Sequence, residues 1–192
     1  MDAERGASYQ RVSGHDLAAL LNPRAAVLVT SCDAAGRPNV MTAVWQTPLS
    51  HRPPMVGISV APARYTHRLI AEVGEFVVNV VDESFAAAVE LCGDVSGAQA
   101  DKFALAGLQT LPAVRVRPPL IAGALAHLEC RVAQSVTCGD HTLFVGEVVH
   151  AQALEGTFER GWKEPAHVLL AFRRDLFGHA VPARESKRTG FT

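Results

Sequence analysis

A chain of 192 residues, 48% hydrophobic and 19% charged, is long enough to bury one core and too apolar to remain disordered. Its 18 Lys and Arg against 19 Asp and Glu leave a net charge of −1, which excludes the broad basic surface that nucleic acid requires. The four cysteines (Cys32, Cys92, Cys130, Cys138) form no C-x-x-C pair and no zinc-type spacing with the eight histidines, so buried free thiols are expected.

Residues 1–10 lack the basic start and apolar run of a signal peptide, and no stretch approaches a membrane span; a soluble cytoplasmic protein is expected. After this frayed segment, SGHDLAALLN predicts a short helix with Ser13 and Asp16 in capping-box spacing, stopped at Asn22-Pro23. AAVLVTSC and NVMTAVW, joined by the breaker-rich DAAGRP, predict a hairpin over 25–45. From Asn39 to Thr66 the apolar residues fall in short runs broken by Pro48, Pro53 and Pro54, which predicts two strands and a polar turn. HRLIAEV follows as a helix over about 66–73, with Thr66 as its N-cap and Gly74 as its stop.

EFVVNVVD then reads as a buried strand, SFAAAVELC as a helix ending at Gly93, and DKFALAG as a helical turn ending near Gly107. AVRVRP predicts a strand, and AHLECRVAQSV with TLFVGEVVHAQA a long antiparallel pair. Alternation of Leu128, Cys130 and Val132 with Glu129, Arg131 and Ala133 predicts one dry and one wet face. PAHVLLAF is a last strand, Phe177 and Gly178 sit at a turn, and 182–192 form a flexible tail. Six or seven hairpin-linked strands with a few short helices make an antiparallel barrel the economical fold, as a single domain over 1–192.

The chemistry begins with absences. No G-x-G-x-x-G follows a strand, and no P-loop, G-x-S-x-G or H-E-x-x-H is present, so a phosphate, if one is held at all, is held another way. Ser59, Arg64 and Thr66 at a helix start offer one: a hydroxyl, a guanidinium and free N–H groups suit an anion. The same residues also fit an ordinary capped helix with a surface arginine. Lys102, just inside a short helix after a Ser-Gly loop, sits at the unfavourable end of the dipole unless an anion is near; it also fits a solvated lysine. His141 is not needed by the Gly139-Asp140 turn before it, and either serves a site or simply decorates the turn.

In their order, GRPNVMTAVW (36–45), SVAPARYTHRLI (59–70), EFVVNV (75–80), CGDVSG with DKF (92–103), LEC (128–130) and GDHTLFVGEVV (139–149) resemble the flavin reductase-like, FMN-binding split β-barrel family, within it the flavoredoxin branch. The resemblance covers residues 24–150 well. It implies a mainly β, antiparallel split barrel with short peripheral helices, a homodimer, and FMN as cofactor. Flavin contacts would fall on Asn39 and Trp45, with the backbone of Thr42, Ala43 and Val44 beside the ring, although Trp45 also fits core or interface packing. Phosphate positions would fall on Ser59, Arg64, Thr66 and Lys102, with His141 near the ring and Phe177 as an aromatic contact. The implied activity is hydride transfer from NADH or NADPH to flavin, serving a monooxygenase or another acceptor, with His141 orienting the nicotinamide. The rivals are an FMN-binding electron-transfer protein without nicotinamide turnover, and a barrel that binds another ligand.

Overall fold

The computed structural model describes residues 8–14, 16–164, 166–173 and 175–180. In chain order its elements are α1 (Asp16–Ala19), β1 (Arg24–Ala25), β2 (Val27–Cys32), β3 (Pro38–Ala43), β4 (Gln46–His51), β5 (Pro54–Val60), α2 (Tyr65–Val73) and β6 (Glu75–Val80). A 3-10 turn (Glu83–Phe85) leads into α3 (Ala86–Asp94), followed by α4 (Lys102–Ala106), β7 (Thr110–Leu111), β8 (Leu120–Ile121), β9 (Ala126–Cys138), β10 (His141–Ala153), β11 (Leu170–Arg173) and β12 (Leu176–Gly178). The tails over 1–7 and 182–192 lie outside the described residues.

One seven-stranded antiparallel sheet, ordered β3-β2-β6-β9-β10-β5-β4, dominates the molecule. Its two edge strands, β3 and β4, are consecutive in the chain, with only Val44 and Trp45 between them. A link of two residues cannot cross a flat seven-stranded sheet, since neighbouring strands stand about 4.8 Å apart. The sheet therefore curls until its edges approach, and Val44 and Trp45 lie at the seam. This is the split-barrel architecture expected from the sequence.

Alternation along β2 explains why that strand is buried on both sides. Val27 and Val29 join the cluster inside the curl with Ile58, Phe76, Cys130 and Phe144, whereas Ala26 and Leu28 face outward onto Val89, Cys92 and Phe103 of α3 and α4. Each fully buried side chain of this size contributes about 1.5–3 kcal/mol. The outward cluster matters for the site because it presses α3 and the loop after it against β3.

Several expectations are corrected. The polar turn between Trp45 and Met55 is itself a strand, β4; it pairs with β5, and as an edge strand it tolerates Pro48. AVRVRP forms no strand, because its donors go to carboxylates: Val114 N donates to Glu129 at 2.9 Å, Arg115 N to Glu129 at 2.6 Å, and Arg117 N to Glu75 at 2.9 Å. For the same reason Glu129 is fully buried, so the start of β9 has no wet face. α3 runs through Gly93, which does not take a positive φ, to Asp94, and ends where Val95 turns to extended backbone. Phe177 and Gly178 lie in β12, paired with β11, rather than at a turn. Cys138, at the tip of the β9–β10 hairpin, is exposed, while the other three cysteines are buried. The first helix shrinks to four residues.

Candidate functional site

At the seam a cleft of about 410 Å³ is walled by the end of β3 with Val44 and Trp45, by Ser59 of β5, by the start of α2, by the loop after α3, by Lys102 and by His141. It brings together nine of the eleven residues singled out from the sequence: Thr42, Ala43, Val44, Trp45, Ser59, Arg64, Thr66, Lys102 and His141. No aspartate or glutamate is among the described residues that line it. Arg64 and Lys102 are the two ordinarily cationic side chains among its described lining residues besides His141.

The N-cap position of α2 is Arg64, in extended conformation, and no side chain caps the helix. Thr66 is inside the first turn rather than the cap, and its hydroxyl is committed elsewhere: Asn39 Nδ2 donates to Thr66 Oγ1 at 2.8 Å and to Ser31 Oγ at 3.2 Å. At the head of α2 the N–H groups of Arg64 and His67 donate to the carbonyls of Ala61 and Arg64, while Tyr65 and Thr66, which line the cleft, stand at the positive end of the helix dipole with no side-chain cap.

Asn39 lies in the wall behind this corner. It is buried, its Oδ1 has no hydrogen-bond partner, and that oxygen is 1.9 Å from where a Cβ on Gly97 would stand. Gly97, which does line the cleft, is therefore a position that no other residue fits without moving Asn39. Across the cleft Lys102 is 5% exposed, and its Nζ donates to the carbonyl of Cys92 at 3.0 Å. Burial pushes this ammonium below its ordinary value, and Arg64 pushes the same way. A buried ammonium with one neutral acceptor is a group that an anion would stabilise.

At the other end of the cleft Trp45, 39% exposed, packs on His141 with ring centroids 4.8 Å apart and planes at 36°. Thr42 Oγ1 donates to the carbonyl of Val89, which pins β3 to α3. Phe177 is not part of this cleft. It lines a neighbouring one that shares the wall at Val44 and Trp45. Sequence reasoning gave no role to Tyr65, Ser96 or Gly97, all of which line the cleft; the Ser-Gly pair before Lys102 was the available signal.

A curled antiparallel sheet with a cleft at its seam, lined by Arg64 and Lys102 and by no carboxylate among the described residues, defines the chain as a split-barrel protein. The chain belongs to the flavin reductase like domain family, whose model matches residues 20–178. It is 32% identical over 180 residues to the reductase component of a 4-nitrophenol 4-monooxygenase/4-nitrocatechol 2-monooxygenase from Rhodococcus opacus, covering 94% of this chain and 84% of that one. A protein of Archaeoglobus fulgidus is 46% identical over 114 residues, and the match spans 59% of this chain and 64% of that relative. Among solved structures it resembles an FMN-binding protein from Thermus thermophilus with bound 1-cyclohex-2-enone, at 28% identity and a TM-score of 0.77 over 98% of this chain and 99% of that one. It also resembles the NADH:FAD oxidoreductase of Streptomyces globisporus, at 27% identity and a TM-score of 0.76 over 92% and 100%. No helix among the described residues is long and apolar enough to cross a membrane.

Proposed function

We propose that this chain is a flavin reductase that uses FMN, takes hydride from NADH or NADPH, and supplies reduced flavin to a monooxygenase or another acceptor. The observation that carries the reading is the charge of the cleft: Arg64 and buried Lys102 face the head of α2 with no carboxylate among the described lining residues. The residues fit FMN. Its phosphate suits Ser59, Arg64, Lys102 and the N–H groups of α2, and the flat ring suits the backbone of 42–44 and Trp45. When bound, FMN supplies the acceptor for a hydride, chemistry that no side chain provides.

The chain's own residues hold, orient and dry the site. His141 beside Trp45 is placed to orient a nicotinamide, and Phe177 approaches from the neighbouring cleft. The names of the Rhodococcus and Streptomyces proteins support a reductase that serves an oxygenase with NADH, and that of the Thermus protein supports FMN. A homodimer in the cytoplasm belongs to the same reading.

Anaerobic absorbance of the FMN-loaded protein tests it. Rapid bleaching of the flavin band by NADH or NADPH is expected. If FMN binds and stays oxidised with both, while dithionite bleaches it, the protein is an electron carrier instead; if no FMN binds, the assignment of the cleft fails.

A further inference from the structure

His141 reaches Trp45 from the end of a hairpin that the rest of the sheet holds only in part. The register of β6 with β9 ends at Arg131, and that of β5 with β10 ends at the pair of Val60 with Thr142. His141 stands one residue beyond that pair, and its register partner is Cys138 of its own hairpin. Thr142 is thus the last point at which β10 is fixed to β5. It is also held from a second direction: His67 of α2 has its Nε2 2.9 Å from Thr142 Oγ1, and its ring packs on Phe144 with centroids 5.0 Å apart. Thr142 and Phe144 share one face of β10, and Phe144 belongs to the core inside the curl. His141 takes the other face, where it meets Trp45.

Resting on the reductase reading, we infer that His67 is a positioning residue: through Thr142 it holds the hairpin end from which His141 covers Trp45, and so sets the ring end of the cleft. It does not line the cleft itself, although Arg64, Tyr65 and Thr66 before it do. The constraint runs from helix to hairpin. α2 is seated by Leu69 and Ile70, both fully buried, whereas β9 is exposed at every residue from Ala133 to Cys138. Burial lowers the pKa of the His67 imidazole, which favours the neutral ring. A neutral ring has one donor and one acceptor, and a hydroxyl answers to either, so the bond to Thr142 survives in both tautomers.

Trp45 reports on this placement without any nucleotide. In a Trp162→Phe background it is the single tryptophan, and acrylamide quenching of its emission in the ligand-free protein measures how far His141 covers it. His67→Phe keeps an aromatic ring against Phe144 and removes the bond, Thr142→Val removes it from the other side, and His67→Gln keeps a group that can bond. Expected is a higher quenching constant in the first two, a value near that of the unaltered protein in the third, and no further rise when either of the first two is combined with His141→Ala. In the FMN-loaded protein the nucleotide KM should rise by about 2–10-fold in the first two, the worth of one hydrogen bond, with a smaller change in FMN Kd. Unchanged quenching, a rise that persists without His141, an unchanged KM, or an FMN Kd that moves as much as KM overturns the inference and leaves the reductase reading standing. Bound FMN that neither nucleotide reduces overturns both.

Discussion

Asn39 Nδ2 donates to Thr66 Oγ1 at 2.8 Å, so a residue of β3 anchors the first turn of α2, whose Tyr65 and Thr66 line the cleft. Without the hydroxyl, Asn39 Nδ2 keeps only Ser31 at 3.2 Å, and the head of α2 loses its anchor. Thr66→Val is expected to weaken FMN binding by about 1–3 kcal/mol, roughly 5–150-fold, which is the cost of unpairing one buried polar group. Thr66→Ser should retain most of the affinity. Fluorescence titration of FMN measures both; a valine variant with unaltered affinity would remove the anchor from the account.

Two glycines separate site from scaffold. A Cβ at Gly97 would come within 1.9 Å of Asn39 Oδ1, whereas one at Gly146, in β10, would come within 2.5 Å of Phe76 Cζ and 2.9 Å of Cys130 Cβ, both in the inner core. Gly146→Ala is expected to cost about 1–3 kcal/mol of stability through overpacking. Gly97→Ala displaces Asn39 and should weaken FMN binding with a smaller loss of stability. Urea unfolding and FMN titration of the two variants should therefore rank them in opposite orders.

Lys102 links the site to pH. Burial lowers its pKa from the ordinary 10.5, so the folded ligand-free protein binds fewer protons here than the unfolded chain. Its contribution is fully present above pH 10.5 and lost as pH falls through the lowered folded value, leaving a cost at neutral pH. FMN phosphate beside the ammonium offsets that cost. Lys102→Met is thus expected to flatten the alkaline dependence of ligand-free stability and to weaken FMN by about 1.5–3 kcal/mol, the range of a charged hydrogen bond. Melting temperatures against pH, with and without FMN, check the sign: the slope should be steeper without it.

Much of this was legible in the chain. Strands with a two-residue period, Gly74 and Gly107 as helix stops, and the Asp140 hairpin emerged because each rests on local geometry. β4 did not, because QTPLSH has no buried face and is a strand only through its pairing with β5. AVRVRP had the pattern of a strand, and only the distant Glu129 and Glu75 decide otherwise. Within the site, charged and hydroxyl residues could be named from sequence. The steric constraint on Gly97 and the neighbouring cleft could not, since one is defined by a neighbour's oxygen and the other by how β11, β12, α1 and α3 enclose space.

His141 offers the sharpest test of how the ring end of the cleft works. Its Nδ1 lies 2.8 Å from Asp140 Oδ1, and its ring packs on Trp45. A carboxylate only accepts, so Asp140 fixes a proton on Nδ1 and, in the neutral ring, leaves Nε2 as an acceptor. An acceptor beside Trp45 suits the carboxamide N–H of a nicotinamide better than it suits any anionic part of FMN. His141→Ala is therefore expected to raise KM for the nucleotide by about 5–10-fold, the worth of one hydrogen bond near 1–1.5 kcal/mol, with a smaller change in FMN affinity. Asp140→Asn can still accept at Nδ1–H and should fall between the two. Steady-state KM and FMN Kd, measured on the same preparations, divide the possibilities: a shift in KM alone assigns His141 to the donor, equal shifts assign it to holding flavin, and unchanged constants remove it from the site's chemistry.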